Sequence, residues 1–91
     1  MLDKLSFRKY LLDHSEEMVG WTRVSVNCPV ANYLKFITNE KWVVSPLCCK
    51  SMSFEFVPPN WVKHFIHHLD QVGNGESRPV NGLEALYVLD E

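Results

Sequence analysis

The sequence predicts an α+β fold: one domain over residues 1–91, with about four helices packed against a short two-stranded antiparallel hairpin. Three observations carry this. Residues 60–73 hold the longest run of helical periodicity, bracketed by Pro58-Pro59 and Gly73. Residues 51–57 alternate apolar and polar, the period of a half-buried strand. Hydrophobic residues are 46% of the chain, with no repeat, linker or low-complexity tract, which gives one core and no second domain.

Taken in order, Ser6 is the expected cap of a first helix over Phe7–His14, with Phe7, Tyr10, Leu11 and His14 on its inner side. Within residues 18–27, Val24 and Val26 alternate with Arg23 and Ser25, the pattern of a brief extended segment, and Gly20 weighs against a long strand. Cys28 precedes Pro29, which suits the first position of a second helix that runs to Asn39. Its inner face takes Val30, Tyr33, Leu34 and Ile37; Asn32 and Lys35 face water, and Phe36 is left on a side.

Residues 42–45 are β-branched and aromatic, and Pro46 stops them. They are expected to pair with residues 51–57 through the connection 47–50, with Met52, Phe54 and Phe56 on the buried face. Asn60 caps the long helix, which buries Trp61, Val62, Phe65, Ile66, Leu69 and Val72. Residues 74–79 read as a loop. Asn81 and Glu84 have capping-box spacing at the start of a last helix, with Val80 placed to staple Ala85. Leu83, Leu86 and Leu89 or Tyr87 form its expected buried stripe.

Cys-Pro-Val-Ala-Asn-Tyr-Leu at 28–34 resembles a Cys-Pro-Leu-Ala-x-Tyr-Leu signature of small uncharacterised bacterial and phage proteins. Pro59-Asn60-Trp61 with Phe65, Ile66 and Asp70 is similar to their Pro-x-Trp segment, and residues 80–86 are similar to their closing helix. The resemblance covers about Phe7 to Leu89. It implies a compact domain in an intracellular, phage-related or mobile-element setting, and no catalytic assignment.

Net charge is −2 and the basic residues are dispersed, which argues against nucleic acid as the partner. No apolar run is long enough to span a bilayer. Three cysteines, two of them adjacent, make a poor disulfide framework and point to reduced thiols in the cytoplasm.

Three constellations could carry chemistry. His64 and His68 are four apart on a helix, so both imidazoles can reach one ion; with Cys48 and Cys49, and His14 as a further ligand, they would make a zinc site. The same histidines also fit the polar rim of an amphipathic helix. Cys28, at a helix start, is a reactive-thiol candidate, because the dipole and the free N–H groups favour a thiolate; a small apolar residue beneath the helix start is the plainer reading. Trp21 and Phe36 are the aromatic residues left over once the core is assigned, and so are interaction candidates.

No phosphate-binding loop, nucleophile elbow or paired carboxylate is present. The expected function is therefore a non-enzymatic protein-interaction module of accessory or inhibitor type, acting on a protein partner or on its own copy. The alternative is a small zinc- or thiol-dependent protein using the His/Cys site.

Overall fold

A computed structural model describes all 91 residues. Its elements in chain order are α1 (Lys4–Asp13), β1 (Met18–Trp21), α2 (Pro29–Thr38), β2 (Val43–Val44), β3 (Cys49–Lys50), β4 (Glu55–Phe56), α3 (Asn60–Val72), β5 (Pro79–Asn81) and α4 (Gly82–Leu89). The α+β class and the four helices are as the sequence predicts. The sheet structure is richer.

α1 starts three residues earlier than expected. Asp3 is its cap, and its carboxylate accepts from both the amide and the hydroxyl of Ser6, so the expected cap serves as a donor instead. Phe7 and Leu11 are fully buried. α2 is capped as read: the Cys28 sulfur accepts from the Ala31 amide at 3.4 Å, Pro29 follows, and Asn39 closes the helix in the left-handed region. Asn32 departs from the reading. Its amide donates to the Val19 carbonyl and to Asn27 Oδ1, so this side chain ties α2 to β1 instead of facing water.

α3 begins with Asn60 as its first helical residue behind Pro59, without a side-chain cap. It buries Val62, Phe65, Ile66 and Leu69. α4 carries the full capping box: Asn81 Oδ1 accepts from the Glu84 amide at 2.8 Å, and the Glu84 carboxylate accepts from the Asn81 amide. Its buried stripe is Ala85, Leu86, Val88 and Leu89; of the alternatives Leu89 and Tyr87 it is Leu89 that is buried, while the expected Leu83 is exposed. Gly82 sets this rotation. Its bare α-carbon lies against the Leu11 and His14 carbonyls at the end of α1, so the next residue, Leu83, turns outward.

The expected hairpin is a three-stranded antiparallel sheet in the order β2-β3-β4. Cys49-Lys50, read as a connection, is the central strand: Val44 pairs with Cys49, and Cys49 with Phe56. The reason lies at Ser51. Its amide donates to the Phe54 carbonyl and its hydroxyl accepts from the Phe54 amide, making a turn where the alternation predicted a strand. Met52 lies in that turn, fully exposed, whereas Trp42 is buried with Phe54 and Phe56 against its ring.

A second antiparallel pair, β1 with β5, was not visible in the sequence. It sets Gly20 opposite Val80 and Trp21 opposite Pro79, with a register irregularity between Met18 and Gly20. A β-carbon at Gly20 would meet the backbone at Asn27, Cys28 and Pro29, so glycine there lets the start of α2 lie directly on β1. The expected extended segment around Val24 is a turn. Arg23 takes a positive φ of 61°, and its amide donates to Asp70 of α3 at 3.0 Å. One continuous core joins all four helices to both sheets.

Candidate functional site

The α1–α2 packing brings together a row of rings. Phe7, at the bottom, is fully buried and meets Tyr33 edge-on at 5.3 Å between ring centres. Tyr10, one turn further along α1, lies 5.1 Å from Tyr33 and 5.3 Å from Phe36. His14, the next turn on, packs on Tyr10 at 4.7 Å and faces Phe36 at 6.2 Å. Tyr10 and His14 share a face because they are four apart; Tyr33 and Phe36 do so because they are three apart.

The row leads from core to solvent, and Phe36 at its end is 67% exposed, with Ile37 beside it at 42%. Tyr10, His14, Tyr33, Phe36 and Ile37 line a groove of about 240 Å³ above the buried Phe7. Ser6, Lys9 and Asp13 complete its rim, with Lys9 paired to Asp13 at 2.8 Å. His14 Nδ1 lies 2.6 Å from a Glu17 carboxylate oxygen, which fixes the imidazole plane. Burial raises the Tyr10 phenol above its ordinary value, and the Glu17 charge adds to this; burial also raises Tyr33. Both stay neutral at physiological pH, so the groove presents apolar rings and hydrogen-bonding hydroxyls beside the His14 imidazole.

Trp21, the other interaction candidate, is half-buried in β1 opposite Pro79 and is not among the ring neighbours of Phe36. The two do not form the joint patch that leftover aromatics imply.

The zinc site does not assemble. No three His, Cys, Asp or Glu side chains are grouped to hold one ion. Cys49 is fully buried in the central strand of the three-stranded sheet, and Cys48 is half-buried in the preceding turn, its amide donating to the Ser45 hydroxyl. His14 is engaged in the α1–α2 groove. His64 and His68 remain neighbours on α3, with ring centres 6.3 Å apart, in a shallow depression of about 310 Å³ shared with Trp61 and Leu89.

Cys28 caps α2 as predicted, and burial favours the plainer of its two readings over the reactive thiol. Desolvation raises its thiol above the ordinary value, outweighing the hydrogen bonds from the Ala31 and Val30 amides that favour the thiolate. It floors a cleft of about 150 Å³ bordered by Arg23, Ser25, Ser45 and Asp70, with no histidine in its lining.

No family model, curated protein or solved structure matches this chain. No helix is long and apolar enough to cross a membrane.

Sequence reasoning left Phe36 outside the core, where the structure has it, and did not set Tyr10, Tyr33 and Ile37 beside it. The signal was present in two halves, the i,i+4 pair Tyr10/His14 and the i,i+3 pair Tyr33/Phe36. Nothing in either half announces that the two helices lie side by side.

Proposed function

We propose that the protein is a non-enzymatic interaction module of accessory or inhibitor type, and that the aromatic groove between α1 and α2 is its contact surface. One observation carries this reading: Phe36 is 67% exposed at the end of a row of packed rings anchored by the buried Phe7. A large side chain held rigid at the surface contributes contact area at little entropic cost, which is the character of a binding hot spot. Leu47 and Met52 are more exposed still, but they lie in the bends of the three-stranded sheet, outside that row of rings.

Three unpaired cysteines, two of them buried, support action in a reducing compartment such as the cytoplasm. The resemblance of residues 28–34 to a bacterial and phage signature supports a phage-related setting.

The experiment is Phe36→Ala, followed by sedimentation for self-association and by capture of partners from the native host. Loss of either, with an unchanged circular dichroism spectrum, supports the groove. Retention of both in Phe36→Ala and in Phe36→Ala/Tyr10→Ala would sink it. Trp21→Ala run alongside shows whether β1 contributes a second contact.

A further inference from the structure

We infer that His64 and His68 form, without the cysteines, a two-histidine site on α3 for one divalent transition-metal ion of the imidazole-preferring class. The inference is independent of the interaction reading, since the residues belong to a different face.

Spacing is the first support. Residues four apart on a helix project to the same side, so two imidazoles can converge on one ion. Reach is the second. With metal–nitrogen bonds of about 2.0–2.1 Å, each ring centre sits roughly 3.2 Å from the ion. Two bound rings are then about 4.6 Å apart at a right angle and about 6.4 Å apart when opposed. The observed separation is 6.3 Å, with the ring planes at 52°, inside that span. A turn of the exposed His64 ring toward His68 would bring the pair to the near-right-angle arrangement open to two side chains on one helix face. His64 is exposed and has room to turn.

Selectivity among the three neighbouring histidines is the third support. His67 is closer to the His68 ring, at 5.8 Å, yet it is the adjacent residue and projects from a different side of the helix. Its Nε2 is also engaged, 3.2 Å from the Gln71 amide nitrogen. Two charges of opposite sign, Lys4 and Glu91, border the His64/His68 depression, so the site is not dominated by a cation that would repel the metal. Two protein nitrogens leave the remaining coordination positions to water. Nickel(II) is therefore expected to bind better than cobalt(II), and manganese(II) worst, in the general order for nitrogen ligands.

Nickel(II) is the suitable probe, because copper(II) would oxidise free thiols. The full chain is titrated calorimetrically with nickel(II) at neutral pH, and the histidine ring-proton resonances are followed in parallel. One ion per chain is expected, with broadening of the His64 and His68 signals ahead of those of His67 and His14. His64→Ala and His68→Ala should each weaken binding at least ~10-fold, while His67→Ala and Cys48→Ala change it less than ~2-fold. The absence of saturable binding, or binding that survives His64→Ala/His68→Ala, would overturn the site, as would equal losses in His67→Ala. The ring of His64 is exposed, so its variant should remain folded, and circular dichroism confirms that every loss is one of coordination.

Discussion

Thr22 and Arg78 hold each other at both ends of a two-residue clasp. The Thr22 amide donates to the Arg78 carbonyl at 2.9 Å, and the Arg78 amide donates to the Thr22 hydroxyl at 3.1 Å. The same hydroxyl donates to the Glu76 carbonyl at 2.8 Å. Thr22 is fully buried, so a single side chain fastens the 73–78 loop onto β1. Arg78 continues outward, its guanidinium 2.9 Å from the Glu84 carboxylate that completes the α4 capping box.

Thr22→Val keeps the shape and removes the hydroxyl. The Arg78 amide and the Glu76 carbonyl then lose a partner in a partly buried setting, a cost of about 0.5–1.5 kcal/mol. Urea denaturation should show a lower midpoint at an unchanged slope. Thr22→Ser, which keeps both bonds, should lose less than Thr22→Val. The reverse order would mean that the methyl group, and not the clasp, holds the loop.

Phe7 and Phe36 make an internal comparison. Phe7 is fully buried among Tyr10, Tyr33, Trp61 and Phe65, and Phe7→Ala should cost about 3–5 kcal/mol. Domains of this kind are stable by only about 5–15 kcal/mol in all, so Phe7→Ala should remove a large share of the total and lower the melting temperature by many degrees. Phe36→Ala should move the melting temperature little. A large stability loss in Phe36→Ala would mark that ring as structural and weaken its assignment to binding.

Gly82→Ala reverses an ordinary expectation. Alanine favours a helix over glycine by about 1 kcal/mol, yet a β-carbon here runs into the Leu11 and His14 carbonyls of α1. Backbone cannot yield as a flexible side chain does, so the variant should be destabilised by about 1–3 kcal/mol. Thermal unfolding decides the sign.

The cysteines set an alkaline limit. Burial pushes the Cys49 thiol up to about 12, with the Cys28 and Cys48 thiols adding to the effect, and burial raises Cys28 as well. In the unfolded chain a thiol titrates at about 8.5, so above that pH unfolding releases a proton that the folded state keeps. The contribution is fully present below about pH 8.5 and is lost as pH rises through the folded value, by at most about 1.4 kcal/mol per pH unit for each thiol. Tyr10 and Tyr33 act in the same direction, so the informative quantity is a difference: Cys49→Ala should show a shallower fall in urea midpoint between pH 8.5 and 11 than the parent chain. At pH 7.5, a disulfide reagent should modify the half-exposed Cys48 first and reach Cys28 and Cys49 only on unfolding.

Local signals in the sequence located the helices, since each carries its own punctuation: Pro29 behind Cys28, Pro59 before Trp61, Asn81 three residues before Glu84. They failed where a distant partner decides the outcome. Cys49-Lys50 has no strand pattern of its own and becomes a strand because Val44 and Phe56 flank it. Met18–Trp21 and Pro79–Asn81 are separated by most of the chain, and only the finished core sets them side by side. The site followed the same division. Phe36 was recognisable as a ring without a place in the core, whereas its neighbours Tyr10 and His14 come from another helix. Cys28 was placed correctly, and burial favours the plainer of its two readings, because the dipole argument is local and desolvation is not.

The pairing of β1 with β5 bears on how the protein is made. Strands near opposite ends of the chain must find each other, and α4 follows the second of them directly. Until β5 and α4 have formed, β1 lacks its strand partner and α1 lacks the helix that packs along it. Closing so long a loop delays the rewarding contacts. Folding therefore waits on this long-range closure, and until it is made the apolar faces of α1 and β1 are open to aggregation.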